Sequence, residues 1–418
     1  MGHTARETRC LRVHVSSLRL GMYICELDRP WLDTPFLLQG FLLESLRDID
    51  IVQELCEYVY IDAVHEFAHT HEQHSRHDHP AAPDKRPSPP AGKTLYSVPA
   101  REEQARIQAF HAAAKRLARQ MLDDVRLGNA LNVQQVKDTV HECIDSIIRN
   151  PDALLWLSRI KNKDEYTAEH SLNVGILAIS FGHHLGKERP DLEKLGLCGM
   201  LHDIGMTQTP LEILNKTSHF TPEEAKVMRR HAEGGQRILL DNQGVYYGCI
   251  DVCHNHHEAL DGSGYPRGLT DQTINEFTRI VSICDVYDAI TSDRCYKRCK
   301  SSLDALRILY EGRGQRYDTQ LVIEFIRCIG LYPVGSLVEL ENHSIGIVTS
   351  NNPADRRLPS VYIIIDETGE TVRQPFTLDL AKITRHGDLA PYRIRKVLPN
   401  GTAGIRLQDY VARGLQLA

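Results

Sequence analysis

Histidines and aspartates interrupt apolar helical segments at five places between Pro151 and Gly330. Around each place, apolar side chains recur every three or four residues, a spacing that predicts a helix with a buried face. A polar or charged group on such a face is costly unless it is hydrogen-bonded, paired or bound to a cation. A fold that buries all five places must therefore bring them together. This requirement limits the possible folds of the chain more than any other feature of its sequence.

The five places follow one another along the chain. They are His170, the doublet His202-Asp203, His231, the triplet His256-His257-Glu258, and Asp285 with Asp288 one turn later. Taken singly, each is explained at least as well by a histidine or carboxylate that is satisfied inside the core. Taken together they favour a metal centre, because imidazoles and carboxylates are metal ligands and the two oxygens of Asp203 can bridge two cations.

The segments before this region differ in character. Over residues 1–64, short apolar runs such as Phe36-Leu37-Leu38 and Tyr58-Val59-Tyr60-Ile61 flank a helix-like stretch and predict a small α+β domain. Residues 65–100 contain six histidines up to His79 and then five prolines up to Pro90. This composition predicts a linker without a catalytic role. Residues 101–150 predict a helical connector that ends before Pro151.

The remaining segments complete the predicted architecture. Residues 151–333 form the helical domain that carries the five places, and residues 334–418 predict a small β-rich unit. The apolar runs that predict its strands are 335–340, 345–348 and 361–365. The predicted fold class is therefore mainly α, with a small α+β domain before the helical domain and a β-rich unit after it.

Composition argues against several classes of function. The formal net charge is -6 and no block of lysine or arginine stands out, which argues against binding of a nucleic-acid duplex. The eleven cysteines form no C-x2-C pair, and we interpret Cys249 with Cys253 and Cys295 with Cys299 as packing residues one helical turn apart. No apolar run approaches the ~18 residues of a membrane span and no apolar signal region is seen, so we expect a cytoplasmic protein.

Longer motifs make a resemblance to a known family specific. The segments His202-Asp203-Ile204-Gly205, His256-His257-Glu258 and Asp261-Gly262-Ser263-Gly264-Tyr265-Pro266 resemble the signatures of the HD-GYP family of cyclic-di-GMP phosphodiesterases, in the same order and spacing. The segment from Asp285 to Arg294 extends the resemblance, which covers about residues 151–333. Residues 20–23 and 60–62 resemble a small domain of unknown function that often precedes HD-GYP domains. The resemblance implies a helical, HD-type metal-dependent phosphohydrolase domain.

The resemblance also implies roles for particular residues. Its implied metal ligands are His170, His202, Asp203, His231, His256, His257 and Asp285, with His202 and Asp203 catalytic and Asp203 bridging two metals. Its implied substrate contacts are Asp288, Arg294 and Lys297, with further contacts from the loop residues Gly264, Tyr265 and Pro266. Two divalent ions, iron or manganese, would hydrolyse cyclic-di-GMP to linear pGpG, GMP or both. Diguanylate cyclase (GGDEF) proteins are possible partners.

Two residues depart from the family pattern. Met206 stands where a lysine commonly follows the glycine, and Cys295 replaces a proline. A lysine there could bind phosphate or assist proton transfer, so its work would pass to Lys216 or Lys297. Two other functions therefore stay open. One is a signalling receptor that binds cyclic-di-GMP or a diguanylate cyclase without hydrolysis, and the other is an HD-type phosphohydrolase for another signalling nucleotide.

The predicted number of metals depends on Tyr166. Some family members bind a third metal through a glutamate one helical turn before the first histidine, and here that position is Tyr166. A neutral phenol is a poor ligand near pH 7, and Glu165 and Glu169 are each displaced by about 100° around the helix. We therefore expect two metals per chain.

Overall fold

The computed structural model describes residues 10–28, 41–43, 46–62, 97–160, 166–293, 299–352, 355, 357–386 and 390–418. They fall into two compact units, Met1–Gly92 and Lys93–Ala418, and each is described by itself. The run Phe36-Leu37-Leu38 and nearly all of the predicted linker lie outside the described residues. So do Arg294, Cys295 and Lys297.

The described residues of the first unit form an antiparallel sheet and one α-helix. Its strands are β1 (Cys10–His14), β2 (Tyr23–Leu27), β3 (Phe41–Leu42) and β4 (Tyr58–Asp62), in the order β1-β4-β2-β3, and its helix is α1 (Leu46–Leu55). The buried side chains of Ile24, Leu43, Val52 and Val59 form its core. These residues alternate along the strands and recur on one face of the helix, which is why the sequence pattern predicts α+β structure correctly.

The described part of the second unit begins with twelve α-helices. They are α2 (Ala100–Arg126), α3 (Val133–Arg149), α4 (Pro151–Ser158), α5 (Tyr166–His184), α6 (Arg189–Leu201), α7 (Leu211–Leu214), α8 (Pro222–Arg229), α9 (His231–Leu240), α10 (Tyr247–Asn255), α11 (Glu276–Thr291), α12 (Ser302–Glu311) and α13 (Thr319–Ile329). The connector ends at Arg149, before Pro151 as predicted, and Asn150 caps α4 with Pro151 in its first turn, so the proline that follows one helix also begins the next. A short 3-10 helix, Ile204–Gln208, follows α6.

Two helix ends differ from the sequence-based expectation. The apolar spacing over 222–240 predicts one helix, but the structure divides this segment into α8 and α9 by a turn at Arg230, whose ψ of -13° is still right-handed helical but far from the usual α-helical value. The leucine-rich pattern before His202 predicts a helix that ends at Gly205, but α6 ends at Leu201, four residues earlier. As a result, His202 directly follows the end of α6 and His231 is the first residue of α9.

A five-stranded antiparallel sheet closes the chain. Its strands are β5 (Leu337–Leu340), β6 (Ile345–Ser350), β7 (Ser360–Ile365), β8 (Thr371–Asp379) and β9 (Ile394–Leu398), in the order β8-β7-β6-β5-β9. The sequence predicts the three central strands but not β8 and β9. Both are edge strands, and Pro375 and the half-exposed Phe376 in β8 break the apolar alternation by which a strand is recognised. The helices α14 (Leu380–His386) and α15 (Leu407–Ala412) complete the unit.

Close helix contacts place the segments that carry the histidines. A β-carbon on Gly199 of α6 would lie 2.8 Å from Gly175 Cα of α5, so glycine at this position allows the two backbones to touch. Gly199 stands three residues before His202. Buried Phe181 and Phe325 pack edge to face at 5.2 Å in the core beneath. Among the described cysteines, Cys249 and Cys253 are buried packing residues, as predicted. None of the described helices combines the length and apolar character that crossing a bilayer requires.

His111 on α2 should make the unit sensitive to acid. Burial, with a smaller effect of Lys115, lowers the pKa of His111 from 6.5 to about 3. Between these two pKa values His111 binds a proton in the unfolded chain but not in the folded chain. The unfolding free energy is therefore highest above pH 6.5 with respect to this group, and it falls as pH falls below 6.5. We expect His111→Leu to reduce the pH dependence of the unfolding free energy by up to ~1.4 kcal/mol per pH unit between pH 6 and 4.

Urea unfolding at several pH values measures this slope. His219→Leu is the matched control because His219 is exposed, and it should leave the slope at its wild-type value. Equal slopes for His111→Leu and the wild type would contradict the assignment.

Candidate metal centre

The seven predicted ligands form two adjoining groups inside the helical domain. In one group, ligand atoms of Asp203, His231, His256 and His257 all lie within 4.8 Å of one another, and in the other the same holds for His170, His202 and Asp285. The residues come from α5, the end of α6, the start of α9, the end of α10, and α11. Six of the seven are buried, and His257 is partly exposed. The fold therefore brings together the places that the sequence leaves far apart.

Asp203 stands between two pairs of imidazoles. Its Oδ1 lies 3.3 Å from His231 Nε2 and 3.5 Å from His256 Nε2. Its Oδ2 lies 3.6 Å from His202 Nε2 and 3.9 Å from His170 Nε2. Each carboxylate oxygen thus faces its own pair of nitrogens, which is the arrangement that a carboxylate shared by two cations requires.

Asp285 joins the two groups from the other side. Its Oδ1 lies 3.1 Å from His170 Nε2 and 3.9 Å from His202 Nε2, and its Oδ2 lies 4.0 Å from His257 Nδ1. A single turn of the apolar helix α11 therefore faces members of both groups. This accounts for an acidic residue in the otherwise apolar run 280–286.

Backbone carbonyls fix the orientation of three imidazoles. His202 Nδ1 donates to Gly199 O at 2.8 Å, His231 Nδ1 to Met228 O at 2.6 Å, and His256 Nδ1 to Cys253 O at 2.9 Å. Each acceptor lies three residues before its histidine. Because Nδ1 carries the proton in these bonds, each ring turns Nε2 towards Asp203, as metal-binding histidines do.

The donor atoms fit a cation. His202 Nε2 and Asp203 Oδ1 are buried and have no hydrogen-bond partner among the described residues. Burial lowers the pKa of His202 to about 4, so the ring is neutral at pH 7 and offers a lone pair at Nε2. Burial alone would raise the pKa of Asp203, but the neighbouring His202, His256 and His231 outweigh it and hold that pKa well below its usual range. A neutral imidazole beside a charged carboxylate provides donor atoms of the kind that a divalent metal site uses.

Asp288 lies behind His170. His170 Nδ1 donates to Asp288 Oδ2 at 2.8 Å, and Ser292 Oγ and Asn173 Nδ2 approach the same carboxylate at 3.1 and 3.4 Å. Although burial acts in the opposite direction, the hydrogen bonds to Asp285 and Asp288 raise the pKa of His170 to about 9. The contacts of Asp288 thus orient His170, and its side chain is buried.

A cavity of about 540 Å³ opens over the two groups. Asp203, His231, His257 and Asp285 form its floor, and Tyr265 forms part of its wall. The Tyr265 ring packs on the His257 ring with centroids 4.6 Å apart. Burial raises the pKa of Tyr265, so its phenol stays neutral.

Glu258 holds the chain that follows Tyr265. Its carboxylate accepts hydrogen bonds from the backbone nitrogens of Arg267 at 2.6 Å and Leu269 at 2.8 Å. A β-carbon on Gly264 would overlap the backbone of Glu258 and Ala259, so glycine lets the loop lie flat there. Of the three predicted loop residues, Tyr265 reaches the cavity, whereas Gly264 and Pro266 are not among its lining residues.

Of the two residues considered as replacements for the missing lysine, Lys216 lies away from the cavity and Lys297 is outside the described residues. Met206 lines the cavity, so the position does face the site. Lys216 forms an ion pair with Glu224 and is not among the lining residues. Sequence reasoning missed the contribution of α2, which lines the cavity with Arg119, Leu122, Asp123 and Arg126. The sequence feature that could have identified these four residues is their spacing at i, i+3, i+4 and i+7, which places them on one helix face.

Comparisons with known proteins agree with this geometry. A family model described as an HD domain matches residues 156–321, and a model described as a domain of unknown function (DUF3391) matches residues 11–136. A cyclic di-GMP phosphodiesterase of Pseudomonas aeruginosa is 37% identical over 373 residues, which are 89% of this chain and 89% of that protein. The chain belongs to the HD-GYP family. The HD-GYP domain is a metal-dependent hydrolase fold, and all seven grouped residues lie within the part that the HD model matches.

Two further relatives match less than half of the chain. A 3'3'-cGAMP-specific phosphodiesterase of Vibrio cholerae is 34% identical over 179 residues, 42% of this chain and 41% of that protein. A cyclic di-GMP phosphodiesterase of Thermotoga maritima is 34% identical over 166 residues, 40% of this chain and 45% of that protein. The HD-GYP relatives therefore include enzymes named for two different cyclic dinucleotides.

Proposed function

We propose that this protein hydrolyses cyclic di-GMP to linear pGpG, GMP or both. The observation that carries the proposal is the position of Asp203, whose two oxygens face separate pairs of imidazoles at 3.3 to 3.9 Å on the floor of a cavity. Such a centre suits phosphodiester hydrolysis. The substrate is inferred from the name of the Pseudomonas relative, with which most of the chain aligns.

We further propose that two ions, iron or manganese, are held by the seven grouped residues. Mixed imidazole and carboxylate ligands suit both metals. When bound, such ions polarise a phosphodiester oxygen and lower the pKa of a water molecule. The protein's own part is to hold His202, His231 and His256 in one orientation through their carbonyl acceptors, and to keep Asp203 and Asp285 charged in a buried setting.

Other predicted features belong to the same proposal. Arg294 and Lys297 would bind substrate phosphate, for which guanidinium and ammonium groups are suited. The contacts of Asp288 favour orientation of His170 over a direct substrate contact. The predicted domain boundaries, a cytoplasmic location and diguanylate cyclase partners are also part of this proposal.

Asp288→Asn should weaken the site without dismantling it. An amide oxygen can still accept from His170 Nδ1, but it lacks the charge that favours this ring orientation. Loss of a partner that orients a ligand typically costs about 10- to 100-fold in activity or metal affinity, and we expect a fall of that size. Turnover and metal content measure it. Asp251→Asn is a matched control, because Asp251 accepts from Asn255 and Asn275 away from the centre. Equal effects of both substitutions would contradict the role of Asp288.

Product analysis tests the function itself. Protein purified with ample iron or manganese is given cyclic di-GMP or 3'3'-cGAMP, and products are resolved by chromatography. The proposal expects linear products from cyclic di-GMP and about two metal ions per chain. Cleavage of 3'3'-cGAMP alone would contradict the proposal and would indicate that the substrate is the nucleotide for which the Vibrio relative is named. Tight binding of cyclic di-GMP without products from a metal-loaded protein would support a receptor instead.

A further inference from the structure

The last two turns of α2 form one wall of the cavity over the metal centre. Arg119, Leu122, Asp123 and Arg126 line it, and their spacing places all four on the same helix face. Both arginines are exposed to solvent. This helix precedes the segment that the HD model matches and lies within the segment matched by the model of unknown function. Residues outside the HD segment therefore contribute to this cavity.

Polar contacts hold this end of α2 against the site. Lys115 Nζ donates to Glu169 Oε1 at 2.8 Å and to Ile160 O at 2.6 Å, and Glu169 is the residue before His170. Arg126 Nε approaches Thr207 O at 3.4 Å, in the 3-10 helix that follows Asp203. One contact thus stands beside each group of ligands. Arg119 lies one turn after Lys115 and two turns before Arg126, so it is held between these anchors.

The charged groups that line the cavity come from different elements: the carboxylates of Asp203 and Asp285 belong to the proposed metal centre, and the guanidinium groups of Arg119 and Arg126 belong to α2. The floor contains the carboxylates of Asp203 and Asp285 with the imidazoles, where metal ions would bind one phosphodiester. The wall carries two guanidinium groups and the single carboxylate of Asp123. A cavity of about 540 Å³ is in the size range that holds whole small molecules rather than one phosphate. A ligand with a second anionic group would match both regions at once.

We propose that Arg119 and Arg126 bind the second, uncleaved phosphodiester of the cyclic dinucleotide. This inference rests on the proposed function, because it names a subsite for that substrate. A cyclic dinucleotide has two phosphodiesters on opposite sides of its ring, so one can lie on the metal centre while the other faces α2. Arginine donors suit a phosphate in geometry and charge. Met206 brings no charge to the same cavity, so α2 supplies cations that this wall otherwise lacks among the described lining residues.

The test compares Arg119→Gln, Arg126→Gln and the double variant with Arg116→Gln. Arg116 is an exposed arginine on the same helix, three residues before Arg119, and is not among the lining residues. The control therefore makes the same change in net charge outside the cavity. Steady-state kinetics with cyclic di-GMP give kcat and KM for each protein, and metal content is measured in parallel. Bis(p-nitrophenyl) phosphate, which has a single phosphodiester, serves as the second substrate.

We expect KM for cyclic di-GMP to rise about tenfold in each single variant and further in the double variant, because a charge-assisted hydrogen bond is lost. Metal content should equal that of the wild type. The ratio of kcat/KM for cyclic di-GMP to that for bis(p-nitrophenyl) phosphate should fall by a similar factor, and Arg116→Gln should show none of these changes. Arg119→Lys should recover part of the loss.

Three outcomes separate the inference from the proposed function. If the wild type cleaves cyclic di-GMP and the double variant has the same KM, the role of α2 is overturned and the proposed function stands. If both substrates lose kcat/KM equally together with metal, the arginines support the fold only and the inference is again overturned. If the wild type cleaves bis(p-nitrophenyl) phosphate but neither cyclic dinucleotide, the proposed function itself fails.

Discussion

Asp203→Asn is expected to reduce phosphodiester hydrolysis by more than about 10³-fold while leaving the helical content unchanged. Both oxygens of Asp203 face imidazole nitrogens, Oδ1 towards His231 and His256 and Oδ2 towards His202 and His170. An amide of the same shape keeps the packing but loses the negative charge and one acceptor. The two groups of ligands would then lose the carboxylate that serves both.

Metal analysis, circular dichroism and turnover of cyclic di-GMP measured on one preparation check this expectation. Metal content should fall well below that of the wild type, and the far-ultraviolet spectrum should stay the same. Asp241→Asn is the matched control, since Asp241 is exposed at the end of α9, the helix that starts with His231. Wild-type activity with normal metal content in Asp203→Asn would remove Asp203 from the mechanism.

The grouping of the proposed ligands could be predicted from the sequence, because charged residues stand there in segments that the apolar pattern predicts to be buried. His170 and Asp285 stand on helices with mostly apolar inward positions, Asp203 follows directly after such a helix, and a buried charge without a partner is too costly to keep. A single cluster resolves that conflict for all of them at once. The α+β unit and the three central strands of the last sheet were likewise predicted from apolar periodicity, since their inner faces are well covered.

The other features of the site and of the last sheet depend on contacts between residues that are far apart in the sequence, and these contacts could not be predicted. The α2 helix reads as an ordinary amphipathic helix, and only its tertiary contacts through Lys115 and Arg126 place its polar face on the cavity. Asp288, implied as a substrate contact, is one turn from Asp285, and the sequence cannot tell which side of His170 each carboxylate takes. The apolar side chains of the edge strands β8 and β9 are only partly buried against the core of the sheet, so few of their positions follow the apolar alternation that would reveal a strand.

Substitution of Gly205 is the second change with a large expected effect, because the backbone of α9 occupies the space where a side chain would begin. A β-carbon on Gly205 would overlap the carbonyl oxygen of His231 and the backbone nitrogen of Gly235. Neither obstacle is the movable end of a side chain, so the 3-10 helix and α9 would have to separate. Asp203 lies just before this contact and His231 forms part of it. The contact at this glycine therefore sets the distance between Asp203 and His231, two of the proposed ligands.

Gly205→Ala should lower turnover by about 10²-fold or more, since displacing a site residue by ~1 Å has effects of that size. Overpacking of this kind typically costs ~1–3 kcal/mol in unfolding free energy, and we expect a value at the upper end. Gly175→Ala is the control, because its nearest obstacle is the flexible Met200 side chain, with Cγ at 2.7 Å, and it should stay within about threefold of wild-type turnover. Turnover, metal content and urea unfolding are compared for both variants. If Gly205→Ala retained the turnover and metal content of Gly175→Ala, the backbone contact would not control the spacing of Asp203 and His231.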